Sequence, residues 1–403
     1  MPRVALASFA IAALLAASSM PALAVESCDL NGEHVNPNNG NTTAGKTGLM
    51  RCRDGDGDGG TVIREQELKG GVFIGVVRTF GGGLLEREYR VNARGNRDGT
   101  AHEWAHAENG GKPVLVREET YRDGSAVGLS RTWYPNGQLS RVTFYGDDNR
   151  EQAYAEFTTQ GKLYALRCAP RPVLGADADD AHWCGHAGAA SNVVLYNGKG
   201  EEKSRVSYER GERRRSEELG DTGAVRESRE TTATGGTDRT FYADGKKQRE
   251  QQWVAPAGAR GGRIVTLDQE YHESGKLVRE RRWTVGARGG ELVSEQHWYL
   301  NGQPQQKSEF TSAGGNTLRT ETAFHDNGRK LFEGTWRVAE RGSRDRDRAT
   351  GVHRGWDNDG RLREERHYDE RGRIARERSF DESGAVVRDD EVFEDGSRKA
   401  VGR

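Results

Sequence analysis

Residues whose types and spacing could do chemistry are few in this chain. HEWAH at 102–106 fits H-E-x-x-H, in which two histidines on one helix face hold zinc and the glutamate acts as general base. That chemistry needs a helix. Trp104 stands five residues after Gly99, and Asn109-Gly110-Gly111 follows closely, so a strand is expected. On a strand His102 and His106 share a face while Glu103 points away from any metal they held. No third ligand is identifiable, because Glu118 and Glu119 lie in another strand-like run, and a zinc peptidase is the least favoured reading. The stretch DGDGDGGTVIRE at 54–65 sets Asp54, Asp56 and Asp58 at positions 1, 3 and 5 of a calcium loop, with Gly59 at 6 and Glu65 at 12. Thr61 stands where an apolar residue is usual, and TVIREQEL reads as strand rather than exiting helix. Calcium stays open as a cofactor, and a plain Asp-Gly turn is preferred.

Cys28, Cys52, Cys168 and Cys184 fall into two local couples, Cys28 with Cys52 and Cys168 with Cys184. Four cysteines allow three connectivities, and neighbourhood favours this one. Cys184 sits in HWCGH, but His182 and His186 have no second cluster at metal-ligand spacing, so disulfides are preferred to zinc. No Ser-His-Asp arrangement, phosphate-cradling loop or cofactor motif stands out. The expected catalytic set is none.

The remainder of the sequence describes what positions these groups. Arg3, the apolar run ALASFAIAALLAASSM and Ala22-Leu23-Ala24 read as a signal peptide cleaved after Ala24. No later stretch reaches the roughly 18 apolar residues of a membrane helix. The expected location is the periplasm or outside the cell, an oxidising space that suits paired cysteines. Sixty-one Lys and Arg against 62 Asp and Glu leave no basic footprint for nucleic acid. A mean hydropathy of −0.89 is too low to fill a thick core. Yet 54 glycines, 8 Trp, 12 Tyr and 11 Phe are not the composition of pure disorder. A thin, extended, well-solvated structure reconciles these facts, and such structures are built of repeats.

The repeat appears when the chain is aligned on glycine. An aromatic stands four residues before each of several glycines: Trp133 and Gly137, Phe241 and Gly245, Tyr271 and Gly275, Trp298 and Gly302, Phe324 and Gly328, Trp356 and Gly360, Tyr368 and Gly372, Phe380 and Gly384. Phe157 and Gly161 follow the same spacing. Asn, Asp or Ser usually precedes the glycine, which is turn chemistry. A three-residue loop, type I with glycine in the left-handed position, needs φ > 0 only at glycine. That turn pairs Trp356 with Leu362, Tyr368 with Ile374, and Phe380 with Val386. Strict alternation then puts all six on one face together with Val392, with Glu364 opposite Arg378 and Arg376 opposite Asp390 between them. It leaves Arg363, Glu365, Glu377, Asp389 and Glu391 facing solvent on the other face. A second phrase places glycine five residues before Trp, as in GTAHEW, GLSRTW and GVHRGW. The fold class is all-β, an extended antiparallel meander of β-hairpins, largely single-layer.

YRDGSAVGLSRTWYPNGQLSRVTFY at 121–145, with FYADGKK, EYHESGKLVRERRW and AFHDNGRKLFEGTW, resembles the MORN-repeat variant family, including bacterial proteins described as YwqK-like antitoxins. The resemblance covers about 61–165 and 236–399. It implies an array of β-hairpins serving as a protein- or envelope-interaction module, sometimes as the neutralising partner of a toxin, and it implies no catalytic residues. The expected organisation is a signal peptide at 1–24, a disulfide-closed Gly/Asp-rich segment at 25–60, a first repeat block at 61–167, an irregular disulfide-containing insert with weak repeats at 168–235, and a second repeat block at 236–403. The expected function is non-enzymatic binding of a protein or cell-envelope partner through the repeat surface. An antitoxin or immunity protein and a purely structural envelope protein are the alternatives. The secretion signal departs from a cytoplasmic antitoxin and points to an envelope partner.

Overall fold

A computed structural model of the chain describes residues 26–401 apart from 56–58, 107–111, 257–261, 287–288, 314–315 and 340–345. The expected signal segment, and Asp56 and Asp58 of the calcium-loop reading, lie outside the described residues. The chain divides into two compact units, Met1–Glu151 and Gln152–Arg403. Both are antiparallel sheet, built from hairpins.

In the first unit each strand from Thr61–Lys69 to Ser125–Trp133 lies between its neighbours in sequence. The strand Glu26–Leu30 is the exception, inserted between Glu33–Val35 and Gly48–Asp54. That places Cys28 directly opposite Cys52, and the two are bonded. Around them Leu30, Val35, Met50 and Leu68 form a small apolar core, with Ile63 and Phe73 packed against it.

The second unit carries the other disulfide, Cys168–Cys184, across an irregular stretch with short helical turns at Gly175–Asp177 and Asp180–Trp183. Buried Asp180 orders that stretch by accepting the N–H groups of Val173 and Leu174 at 2.6 and 2.9 Å. From Val193–Tyr196 onward the chain is regular. Seventeen strands follow one another in sequence order to Arg398–Ala400, and each inner one pairs with the strand before and after it.

The hairpin corners are those the turn chemistry implies. Gly360 N–H donates to the Asp357 carbonyl at 2.9 Å and Asp357 N–H to the Arg361 carbonyl at 3.0 Å, with Gly360 at φ +83°. Asp357 Oδ1 accepts two further N–H groups, those of Asp359 and Arg361. The first pairs beyond each corner are Trp356–Leu362, Tyr368–Ile374 and Phe380–Val386, in the register expected from the sequence.

One residue farther the expected register fails. Gly355 pairs with Glu364, His367 with Arg376, and Ser379 with Arg388, so Arg363, Ala375 and Val387 are bulged out. The same single-residue bulge follows the corners at Gly245, Gly275, Gly302 and Gly328. A bulge shifts the alternation by one residue. Successive aromatic–aliphatic pairs therefore fall on opposite faces: Trp356–Leu362 and Phe380–Val386 on one, Tyr368–Ile374 and Val392 on the other. The charged pairs change as well. Arg378 stands opposite Glu365 rather than Glu364, and Arg376 opposite Glu391 rather than Asp390.

Candidate binding surface

The bulge decides how the charge is used. Each of Glu250, Asp268, Glu365 and Glu377 stands three residues before an aromatic of its strand (Trp253, Tyr271, Tyr368 and Phe380) and is nearly buried. Glu365 and Glu377, expected to face solvent, are each only 8% exposed. The reason is the pairing of Glu-Arg dipeptides on antiparallel neighbours. Glu365 faces Arg378 on one face while Arg366 faces Glu377 on the other. The Glu365 carboxylate accepts from Arg354 at 3.0 Å and His367 at 2.8 Å, and Arg366 donates to Glu377 at 3.0 Å. Asp268, 2% exposed, is held by two guanidiniums, from Arg249 on one neighbouring strand at 2.7 and 3.0 Å and from Arg281 on the other at 2.7 Å. Burial opposes the charged form of Asp268, but the Arg249 and Arg281 bonds outweigh it and hold the carboxyl below its ordinary range. Glu250 and Glu365 are held low in the same way, burial being outweighed by their basic neighbours.

These acids replace the apolar row that a sheet core normally has. The signal was present in sequence as acid-x-x-aromatic: EQQW, DQEY, ERRW, EQHW, ETAF, EGTW, ERHY and ERSF. The aromatics stand out in the sequence, whereas the acids do not, because a charge-rich composition reads as wet surface.

The GxxxxW phrase is also a bulge. Glu119 pairs with Ser130 and Tyr121 with Ala126, so the strand around Gly128 carries two extra residues. The same offset occurs around Gly351, where Glu333 pairs with Arg354 and Thr335 with Thr350. Gly128 and Gly351 lie at φ +70° and +71°, a region costly for other residues. At the second site the His353 ring fills the gap, packed against Phe332, Trp336 and Tyr368.

The first four residues of HEWAH lie on the strand Gly99–Ala105, paired with Val114–Arg122, and His106 follows its end. His102 and Glu103 point to opposite faces; His102 stacks near Trp104 and lies 3.5 Å from Glu118. The helical ligand geometry of a zinc peptidase is not formed. Asp54 ends the strand Gly48–Asp54 and Glu65 is inside Thr61–Lys69, with no exiting helix. The Glu65 carboxylate is taken by Arg51 at 3.0 Å and Arg78 at 3.3 Å. The Cys184 thiol is in a disulfide, not offered to a metal beside His182 or His186.

A sheet of sequential hairpins that holds itself with cross-strand ion pairs defines a β-repeat protein of the meander class. A family model described as MORN repeat variant matches residues 126–147, the hairpin that spans Ser125–Trp133 and Leu139–Tyr145. No curated protein matches the chain. Among solved structures, the chain is similar to a complex titled TcdB2-TccC3-Cdc42, at 10% identity and a TM-score of 0.18 over 88% of this chain and 20% of that one. It thus spans about a fifth of that chain's length. A putative 6-phosphogluconolactonase from Bacteroides uniformis matches at 13% identity and a TM-score of 0.12, over 88% of this chain and 91% of that one. The periplasmic gluconolactonase of Pseudomonas aeruginosa matches at 15% and 0.13, over 90% and 97%. Values this low carry no argument about fold or activity.

Proposed function

We propose that this protein is a secreted or periplasmic, non-enzymatic scaffold that binds a protein or cell-envelope partner through its β-repeat surface. The observation that carries the reading is the self-sufficiency of the sheet from Val193 to Ala400. Its interior row is satisfied by ion pairs within the sheet, at Glu250, Asp268, Glu365 and Glu377. Such a sheet has no continuous apolar face that demands a second layer, so its broad surfaces are free for recognition, and repeats extend that surface along the chain. The two disulfides are compatible with an extracellular or periplasmic location, and no helix among the described residues is long and apolar enough to cross a membrane.

The test is capture of partners from envelope extract on immobilised residues 25–403, followed by titration of the purified partner. Saturable binding of a purified partner by the folded chain supports the reading. A chain that retains no saturable partner sinks it. A toxin or effector recovered as that partner selects the immunity role.

A further inference from the structure

We infer that the face of the second unit around Arg213, Arg229 and Arg263 binds an acidic oligosaccharide; the inference rests on the scaffold reading above and names the chemistry of its partner. Register builds the site. Ser216 stands opposite Arg229, Arg229 opposite Asp238, and Asp238 opposite Gln251, so these side chains share one face across four strands. Trp253 stands opposite Gly236 on that face, and its indole lies over the bare glycine: a Cβ at Gly236 would come within 2.6 Å of the ring. The Arg263 guanidinium is seated over the indole, 5.3 Å from the ring centroid. Strand pairing and an aromatic platform thus fix the arginines in place.

Their charge is only partly neutralised. Arg229 and Arg263 both donate to the one Asp238 carboxylate, at 2.8 and 2.6 Å. Arg213 is exposed and forms no ion pair among the described residues, whereas Arg214 and Arg215 beside it are both engaged. Two adjoining cavities share Arg213, Ser216 and Arg229. One, of about 380 Å³, is lined by guanidiniums, the hydroxyls of Ser216 and Thr231, and Trp253, with no carboxylate. The other, of about 350 Å³, adds the carboxylates of Glu218, Glu227 and Asp238.

The first cavity calls for an anion, and the second for a ligand that donates hydroxyl protons while accepting from arginine. A sugar bearing a carboxylate or sulfate supplies both within one or two residues. An apolar peptide anchor finds no aliphatic lining in either cavity. Single-stranded nucleic acid is disfavoured because it needs a free aromatic face, and those of Trp253 are taken by Gly236 and Arg263.

The test is calorimetric titration of residues 25–403 with trigalacturonate and with a heparin tetrasaccharide, against neutral maltotriose. At least one acidic probe is expected to bind at least tenfold more tightly than maltotriose. Arg213→Glu, at an exposed position, is expected to weaken that binding at least tenfold with an unchanged melting temperature, and Arg263→Ala is expected to weaken it too. Full affinity in Arg213→Glu, or equal binding by oligothymidylate of the same charge, overturns the site. Failure of both acidic probes while the chain still retains its captured envelope partner also overturns it and leaves the scaffold reading standing.

Discussion

His353 shows how much one residue depends on its neighbours in this sheet. It stands three residues before Trp356, where other strands carry an acid, and is 5% exposed. Its Nε2 lies 3.1 Å from Thr335 N and 2.8 Å from Thr335 O, filling the ladder position that the Gly351 bulge leaves empty. Burial pushes its pKa below the ordinary value of 6.5, against backbone bonds at Thr335 and Thr350 that act the other way. Arg366, opposite it, also disfavours the charged ring, while Glu321 favours it. A histidine whose folded pKa is depressed contributes stability above its unfolded pKa and loses it as pH falls through the folded value. The carboxyls of Asp268, Glu250 and Glu365, also depressed when folded, lose their contribution only in stronger acid, below about pH 4.5. The melting temperature is therefore expected to fall between pH 7 and pH 5, and His353→Gln, which can accept the Thr335 bond without titrating, is expected to flatten that slope. An unchanged slope in the variant removes His353 from the account.

At the scale of the element, the arginine-clasped acid does for each hairpin what an apolar side chain does in a two-layer sheet. Asp268→Asn keeps the shape and removes the charge that Arg249 and Arg281 share. Both arginines retain water contact, with side chains 41% and 29% exposed, so the expected loss is about 2 kcal/mol rather than the larger cost of stranding a buried ion. Denaturant unfolding checks this, and a loss below about 0.5 kcal/mol, the level of an ordinary surface change, would count against it. Two glycines of the wide bulge separate conformation from space. Gly351 has φ +71° and open surroundings, so Gly351→Ala is expected to cost about 1 kcal/mol through backbone strain alone. Gly334 needs no special φ, but a Cβ there would come within 2.8 Å of Phe332 and 2.9 Å of His353. Gly334→Ala is therefore expected to cost about 1–3 kcal/mol by overpacking and, unlike Gly351→Ala, to alter the pH slope by displacing the His353 ring. Equal pH profiles in the two variants would contradict the division.

At the scale of the whole molecule, stability comes from two sources. The second unit's meander is held strand by strand, whereas the first begins on an apolar core around Cys28–Cys52. That bond closes a separation of 24 residues, and its removal is expected to cost about 3 kcal/mol. Hydrogen exchange on the Cys28→Ala, Cys52→Ala double variant should show faster exchange across residues 26–69, and unchanged protection there would refute the assignment.

Much of this was legible in the sequence, because it is set by contacts between near neighbours. The glycine φ preference and the Asn or Asp before it specify a three-residue corner, and the corner specifies the first cross-strand pair, such as Trp356–Leu362. Cysteine proximity likewise indicated the couples Cys28–Cys52 and Cys168–Cys184. The next step was not legible. Arg363, Ala375 and Val387 share no chemistry that marks them as bulged, and a bulge's stability depends on the twist and pairing of both strands. That one extra residue sends successive aromatics to opposite faces and brings Glu365, instead of Glu364, to Arg378. It also turns acids that composition assigns to solvent into the sheet's interior row. The sequence alone determined the corners and the all-β meander; the tertiary structure decided the faces and the charge partners, because these depend on register carried across strands and not on any local preference.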